Sequence, residues 1–431
     1  MDQEVPERLT MYSCRICGNT QIDTFLRLGP TPLANSFLKP EQLRQPEPCY
    51  PLDVVFCDHC GLVQLDLVVA PEIMFRDYIY VSSTSQTMPQ HFAAYAEEIV
   101  ARFLESPQDL VLEMGSNDGC LLRAFQKLRA RALGIEPAAN LALAANAAGL
   151  ATVNDFFCER SARALREREG PAKVVIGNNV LAHIGDLCDL VAGLDALLCP
   201  DGVAVFEVPY LLDLLGNDEF DTIYHEHLSY FALRPLQRLF ALRGMQIFDA
   251  KRLIVHGGSV RVYVCRVGAG RAVRSSVTGL LLLEKAERLD SFEVYTAFAN
   301  RVKKMKMELT ALLRELKSSG ARIAGYGAPA KGNTLLNHFE IGTDLLDFIV
   351  DRNPCKQGMY TPGRHIPVVP VERLLEKQPD YLLLLAWNFA DEILEQQKEY
   401  SKRGGKFVVP IPQPKILESD IHARSVASLQ R

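Results

Sequence analysis

Twice along this chain an apolar strand runs into a glycine turn that opens a helix: "LVLEMGSNDGCLLRAFQKLR" at 110–129 and "ARIAGYGAPAKGNTLLNHF" at 321–339. In each, a short apolar run gives way to apolar positions three and four apart, the signature of a strand feeding a helix. Further apolar runs follow at intervals. "RALGIEP" (131–137), "KVVIGNN" (173–179) and "GVAVFEVP" (202–209) come after the first loop, "LLDFIVDRNP" (345–354) and "DYLLLLAWN" (380–388) after the second. Helical stretches lie between them, and such alternation specifies mostly parallel sheets covered by helices. "MQIFDA" and "SVRVYVCR", either side of His256-Gly257-Gly258, read as a closing antiparallel pair, and the charged stretch 267–319 as a helical connecting arm. The chain therefore carries two nucleotide-type α/β folds.

A chain of 431 residues exceeds what one hydrophobic core usually supports, and 48% hydrophobic residues suffice for two or three. A formal charge of −5 argues against nucleic acid or an anionic membrane as partner, since either asks for a clustered basic surface. The N-terminus "MDQEVPERLT" lacks the apolar core of a secretory signal, and no apolar run approaches the roughly 20 residues of a membrane span. Eleven cysteines, seven of them scattered singly, fit a reducing cytoplasm better than a disulfide framework. A small-molecule partner in the cytoplasm is the expectation; oligomeric state is not legible.

The remaining four cysteines are paired. Cys14 and Cys17 form one C-x-x-C, Cys57 and Cys60 another, each followed at once by Gly18 or Gly61. Two such knuckles let four thiolates reach one tetrahedral Zn²⁺ at about 2.3 Å. His59 and Cys49 are possible substitute ligands. Four protein ligands leave no open position, so this zinc is structural and staples a segment of about 70 residues too small to rely on its own core. The expected domains are a zinc-binding module over 1–72, a donor-binding domain over 73–266 and a second Rossmann-like domain over 267–415.

The two glycine loops differ chemically. The first is Glu113-Met114-Gly115-Ser116-Asn117-Asp118-Gly119, with Glu136 at the end of the next strand, where a carboxylate can accept both hydroxyls of a ribose. It lacks the G-x-G-x-x-G of dinucleotide sites, and Glu113 stands where a pyrophosphate would be repelled. E-x-G-x-x-x-G followed by an acid suits S-adenosylmethionine, whose amino-acid end is cationic and which has no phosphate; NAD is the competing reading. The second loop, Gly325 to Asn333, leads small residues into a helix and adds Lys331. Backbone amides at a helix start plus one ammonium make a diphosphate site. A packing turn with an exposed lysine is the plain alternative.

Between the loops lies "DTIYHEHLSYF" (221–231), with Tyr224, His225, Glu226 and His227 consecutive although His occurs only nine times in the chain. Methylating carbon requires a proton to be lost beside a carbonyl, hence a positioned base and a group that steadies the enolate. Imidazole suits the base, a carboxylate can hold its tautomer, and a tyrosine can donate to the oxyanion. Asn179 and His183 in "NNVLAHI" and Tyr78 in "FRDYIYVSSTS" sit at strand ends as further candidates. An extended backbone would turn Tyr224 and Glu226 one way and both histidines the other, so a bend is required. His225 is the alternative base.

These motifs, in the order paired C-x-x-C, "YIYVSSTS", "LEMGSNDG", "GNNVLAHI", "DTIYHEHLSYF", "HGGSVRVYV", "GYGAPAKGNTLLN" and "DRNPCKQGMYTPG", make the chain resemble the nucleotide-sugar C-methyltransferases over nearly its whole length. That family methylates C3 of dTDP-linked 4-keto-deoxyhexoses. The resemblance implies a zinc-binding N-terminal domain, a middle S-adenosylmethionine domain and a C-terminal domain supplying much of the nucleotide-sugar site. By motif, Tyr78, Asn179, His183, Tyr224, Glu226 and His227 would line the active site, with His227 removing the proton alpha to the ketone. The donor is expected against Glu113, Gly115, Ser116, Asn117 and Gly119, with Glu136, Pro137, Asp155, Phe156 and Asn178 from neighbouring strand ends. The sugar nucleotide is expected against Ala328, Lys331, Gly332, Asn333, Asp351, Asn353, Trp387 and Asn388. An O- or N-methyltransferase, a dehydrogenase using the second loop for NAD, and a zinc adaptor with a degenerate fold are the competing readings.

Overall fold

A computed structural model describes residues 9–10, 13–75 and 87–417. The chain divides into two compact units. The first gathers residues 1–23, 55–212 and 228–290; the second gathers 24–54, 213–227 and 291–431.

The first unit is built on a seven-stranded sheet. Its order is Met245–Leu253, Ser259–Arg266, Leu198–Pro209, Ala172–Asn178, Leu110–Met114, Arg131–Ile135, Thr152–Val153. The last five of these run parallel, while Ser259–Arg266 is antiparallel to both of its neighbours. The antiparallel closing pair expected on either side of His256-Gly257-Gly258 is thus present. All five residues of Leu110–Met114 are buried, as befits a central parallel strand covered on both faces. Helix Thr87–Phe103 lays Phe92, Tyr95, Ile99 and Phe103 on one face, against Val111, Val174, Val205 and Tyr263 of the sheet. Each such buried side chain contributes on the order of 2 kcal/mol. From Leu110–Met114 the chain steps outward through two strands and then returns to the strand's other side, so the sheet's switch point lies between Met114 and Asn178. Open α/β sheets bind ligands at the carboxyl ends flanking such a point.

The second unit has a six-stranded sheet in the order Val368–Val369, Ile349–Val350, Ile323–Tyr326, Tyr381–Leu384, Lys406–Val409, Lys415–Leu417, parallel except for the last strand. Its switch point lies between Tyr326 and Leu384. The strand read as running to Trp387 and Asn388 stops at Leu384, and Trp387–Phe389 form a single 3-10 turn beyond it.

The stretch 267–319, read as one connecting arm, is two helices of different allegiance. Ser275–Ala286 packs in the first unit, where buried Glu284 accepts the amides of Leu233 (2.6 Å) and Arg234 (3.3 Å) at the start of helix Leu233–Ala241 and the Tyr210 hydroxyl at 2.8 Å. A carboxylate there satisfies orphan amides and opposes the positive end of the helix. Phe292–Ser318 belongs to the second unit and buries Tyr295, Phe298, Val302, Met305, Leu309 and Leu313, a stripe at three- and four-residue spacing. No helix among the described residues is long and apolar enough to cross a membrane.

Candidate active site and metal centre

Cys14, Cys17, Cys57 and Cys60 converge in the first unit, their four sulfurs within 4.8 Å of one another. Cys14 Sγ lies 3.3 Å from Cys60 Sγ, and Cys17 Sγ 3.6 Å from Cys57 Sγ. Sulfurs bound at about 2.3 Å to a tetrahedral Zn²⁺ are about 3.8 Å apart, so the donor set fits that ion. The thiols already compete for charge: the hydrogen bond with Cys60 draws Cys14 down to about 5, and burial pushes Cys17 up to about 11. A cation at the centre relieves that competition. His59 and Cys49 are not in the cluster. Buried Arg15, inside the first knuckle, donates from its amide to Gln64 Oε1 (3.0 Å) and from its guanidinium to the carbonyls of Leu65 (2.8 Å) and Leu228 (2.5 Å). The metal knuckle thereby holds the residue that follows His227 in the chain.

At the first switch point the loop after Met114 and the loop after Asn178 face each other. Gly115 has φ +59°, and a Cβ on it would stand 2.4 Å from Val180 Cγ1; only glycine fits. The carboxyl of Glu113 is buried, and burial, then Glu136 and Asp118, hold its pKa well above the usual carboxylate range. Glu136 accepts the amides of Asn117 (Oε2, 2.9 Å) and Ala138 (Oε1, 2.9 Å), one on each oxygen. Each oxygen keeps a second acceptor direction, the number a ribose diol asks for. Pro137 follows, its carbonyl accepting from Asn154 Nδ2 at 3.0 Å. Asp155 and 43%-exposed Phe156 follow strand Thr152–Val153 after Asn154, and that strand is the neighbour of the one leading to Glu136. Buried atoms without a protein partner collect here: Glu113 Oε2, Ser116 Oγ, Asp118 Oδ1, both amide atoms of Asn178 and Asn179 Oδ1. Buried polar atoms are ordinarily satisfied, so this rim fits a polar ligand with several hydrogen-bonding groups, as S-adenosylmethionine has. Gly119 opens helix Cys120–Lys127 at φ +77°. Asn179 is left-handed at φ +54°, its amide donating to the Glu207 carbonyl at 2.7 Å, and His183 ends the 3-10 turn Leu181–His183.

Residues 213–227 belong to the second unit, and the bend that the sequence demanded is there. The His227 amide donates to the Tyr224 carbonyl at 2.9 Å, closing a turn. The rings of Tyr224 and His227 come within 4.1 Å, and the Tyr224 hydroxyl lies 2.9 Å from His227 Nε2. His227 Nδ1 lies 2.8 Å from the Thr222 carbonyl, which can only accept. Nδ1 therefore carries the proton, and in neutral imidazole Nε2 holds the lone pair and receives the tyrosine O–H. Glu226 is buried, with Oε1 accepting from Asn35 Nδ2 at 2.6 Å. It does not supply the Nδ1 partner. The Thr222 carbonyl sets the tautomer in place of the carboxylate that the sequence suggested. His225 is buried and points the other way, its Nε2 3.2 Å from the carbonyls of Tyr50 and Pro51, with burial holding its pKa down. That is the setting of a structural histidine. Tyr78 and "YIYVSSTS" lie outside the described residues.

The second glycine loop is occupied by the chain itself. The Ala328 amide donates to Asp351 Oδ2 at 2.6 Å and the Asn353 amide to Asp351 Oδ1 at 2.7 Å, so a carboxylate stands where a phosphate was expected. Lys331 Nζ is 3.9 Å from buried Glu219 and 5.4 Å from the centre of the Trp387 ring, and Trp387 Nε1 donates to buried Asp221 at 2.6 Å. Asn333 donates to the Ala34 carbonyl at 2.7 Å. Gly332 is required because a Cβ would lie 2.9 Å from that of Leu385. Asn388 is half-buried beside Trp387. Sequence reasoning missed Glu219 and Asp221, because two acids in a polar stretch look like a solvated face. It also missed Lys356, half-buried, donating from Nζ to the Ala328 carbonyl at 2.7 Å, its pKa lowered by desolvation against the pull of Asp351 and Glu226. A lysine inside "DRNPCKQGMYTPG" gave no periodic signal.

Comparison with known proteins finds three family matches along the chain. Residues 14–75 match a zinc binding domain family, 89–249 a methyltransferase domain family and 254–412 a C-methyltransferase C-terminal domain family. The C-methyltransferase NovU of Streptomyces niveus is 38% identical over 407 residues, 94% of this chain and 97% of the relative. Among solved structures, an S-adenosylmethionine-dependent methyltransferase from Anabaena variabilis is 12% identical, covering 40% of this chain and 83% of that one with a TM-score of 0.34. Magnesium protoporphyrin IX methyltransferase from Synechocystis is 13% identical, covering 42% and 79% with a TM-score of 0.32. Those two likenesses are too loose to carry an argument. The full-length relative and the three domain families do carry one: this chain belongs to the C-methyltransferase family, an S-adenosylmethionine-dependent enzyme with a structural zinc-binding domain at its N-terminus.

Proposed function

We propose that the enzyme methylates the carbon alpha to the ketone of a nucleotide-linked 4-keto-deoxysugar, C3 of a dTDP-linked 4-keto-deoxyhexose, through an enolate. The observation that carries this reading is the relay from the Thr222 carbonyl through His227 to Tyr224. A free amine needs no base and a hydroxyl acceptor needs the base alone, whereas a carbon acid needs both a neutral imidazole with a fixed lone pair and a donor for the oxyanion.

His227 Nε2 takes the α-proton and becomes N–H; the C–H electron pair enters the enolate, and the negative charge settles on the C4 oxygen. The Thr222 carbonyl stabilises the imidazolium through Nδ1–H. The Tyr224 hydroxyl, released from Nε2 as that nitrogen is protonated, donates to the oxyanion. Bound S-adenosylmethionine supplies an electrophilic methyl group, its carbon–sulfur bond breaking with the electron pair left on sulfur as the new C–C bond forms. The donor is held by Glu113, Gly115, Ser116, Asn117, Gly119, Glu136, Pro137, Asp155, Phe156 and Asn178. Roles in the same reaction are proposed for Asn179 and His183 of the first unit and for Glu226 of the second, and the role of Tyr78, outside the described residues, is the one the resemblance implies. On the second unit, Asn353 and Asn388 are left to hold the sugar nucleotide, since Ala328, Lys331, Gly332, Asn333, Asp351 and Trp387 are engaged by the chain itself. The three-domain division at 72 and 266 belongs to the same reading.

The test uses dTDP-4-keto-6-deoxyglucose and related keto sugars with ¹³C-methyl donor. A labelled methyl carbon coupled to a ring carbon beside the ketone supports the reading, and a methoxy or N-methyl product overturns it.

A further inference from the structure

The turn Phe220–Thr222 packs on two elements that follow the switch-point strands of the second sheet, whose carboxyl ends are where such folds ordinarily receive a ligand: Trp387 beyond Tyr381–Leu384, and helix Ala330–Phe339 after Ile323–Tyr326. Asp221 is fully buried and receives Trp387 Nε1–H at 2.6 Å, and Trp387 itself is 3% exposed. Phe220 stacks on Phe339 of helix Ala330–Phe339 with ring centres 4.9 Å apart and planes 20° from parallel. The turn is closed by the Ile223 amide on the Phe220 carbonyl at 3.0 Å and by the Thr222 hydroxyl on the Glu219 carbonyl at 2.7 Å. The next carbonyl after Asp221 is that of Thr222, the one that receives His227 Nδ1–H.

We propose that Trp387 and Asp221 are positioning residues for proton removal: the indole–carboxylate bond fixes the turn that presents the Thr222 carbonyl to His227, and so fixes which imidazole nitrogen holds the lone pair. The inference rests on His227 being the base. One peptide bond separates Asp221 from the carbonyl that selects the tautomer, so a displaced turn is felt directly at Nε2. Misplacing a reacting group by about 1 Å costs about a hundredfold in rate. A purely structural contact would show itself in stability and in substrate binding. A positioning contact shows itself in the proton-transfer step.

Trp387→Phe keeps a ring at this position and deletes the N–H; Asp221→Ala deletes the acceptor. In the full-length enzyme with dTDP-4-keto-6-deoxyglucose, each is expected to lower kcat about tenfold to a hundredfold, with KM for donor and sugar within about twofold of wild type. The primary isotope effect of α-deuterium on kcat should rise, because proton removal becomes slower relative to methyl transfer. The double variant should fall no further than the worse single one, as expected for two residues acting through one bond. If Asp221→Ala does not fold, Trp387→Phe decides alone. Variants that keep the wild-type kcat and isotope effect overturn the inference, as do variants whose loss lies in KM with the isotope effect unchanged. Exchange of the α-proton by wild type in D₂O without donor separates the two readings. Its absence removes the base and this inference together; its presence with unaffected variants removes this inference alone.

Discussion

The Tyr224 hydroxyl donates to Nε2 of His227 across 2.9 Å, and the two side chains meet only because the backbone turns between them. The pair makes the roles separable. His227→Ala is expected to lower kcat by about 10²–10⁴-fold, the range for loss of a general base, while the donor's dissociation constant, measured by calorimetry, stays within about twofold. Tyr224→Phe leaves the base and removes the oxyanion donor, so kcat falls while α-proton exchange persists at a reduced rate. Full turnover by His227→Ala would reassign the base.

Glu219 links the fold of the second unit to pH. Burial raises its pKa from the ordinary 4.5 to about 7, against the pull of Lys331. A carboxyl whose folded pKa lies above the unfolded one binds its proton more tightly when folded. The stability it contributes is present below pH 4.5 and is lost as pH rises to about 7. The change is on the order of 3 kcal/mol. Denaturant titrations of wild type and Glu219→Gln between pH 5 and about 7.5 check this: the variant's stability should vary less over that window. Equal slopes would show that Glu219 does not titrate there.

Gly115→Ala places a methyl 2.4 Å from Val180 Cγ1 at φ +59°, so the loop carrying Asn178 and Asn179 must move. Overpacking of this kind costs about 1–3 kcal/mol. The expected result is donor affinity weakened at least about fivefold in an enzyme that still folds. Unaltered donor affinity would take this loop out of the donor site.

Cys14→Ser is expected to lower bound zinc well below one per chain and to reduce the melting temperature, since a closed four-cysteine site contributes folding energy and no chemistry. Arg15 ties that knuckle to the Leu228 carbonyl, so the loss should also slow turnover more than it weakens donor binding. Elemental analysis with a thermal melt and kcat reads both effects, and full zinc occupancy would contradict the assignment.

Much of this architecture was legible because its causes are local. The strand Leu110–Met114 and the glycines after it follow from a run of apolar residues and a turn that excludes a Cβ, and the four cysteines follow from ligand chemistry. What stayed hidden is long-range. Glu284 capping Leu233, Asp221 under Trp387 and Lys331 beside Glu219 join residues 51, 166 and 112 positions apart, and nothing in a linear pattern marks such a pair. Lys331 looked like a phosphate ligand because a lysine after a glycine loop often is one. Its neighbours in space are two buried acids and an indole. For the same reason a neighbouring carboxylate is the partner a linear pattern offers for the tautomer of His227, although the group that sets it is a backbone carbonyl, which every residue has.

The most direct measurement is proton exchange in D₂O with dTDP-4-keto-6-deoxyglucose and no methyl donor, followed by NMR of the ring. Deuterium is expected at the carbon beside the ketone with wild type and none with His227→Ala. Methylation that proceeds while that carbon keeps its original hydrogen in the wild-type enzyme would contradict the enolate route.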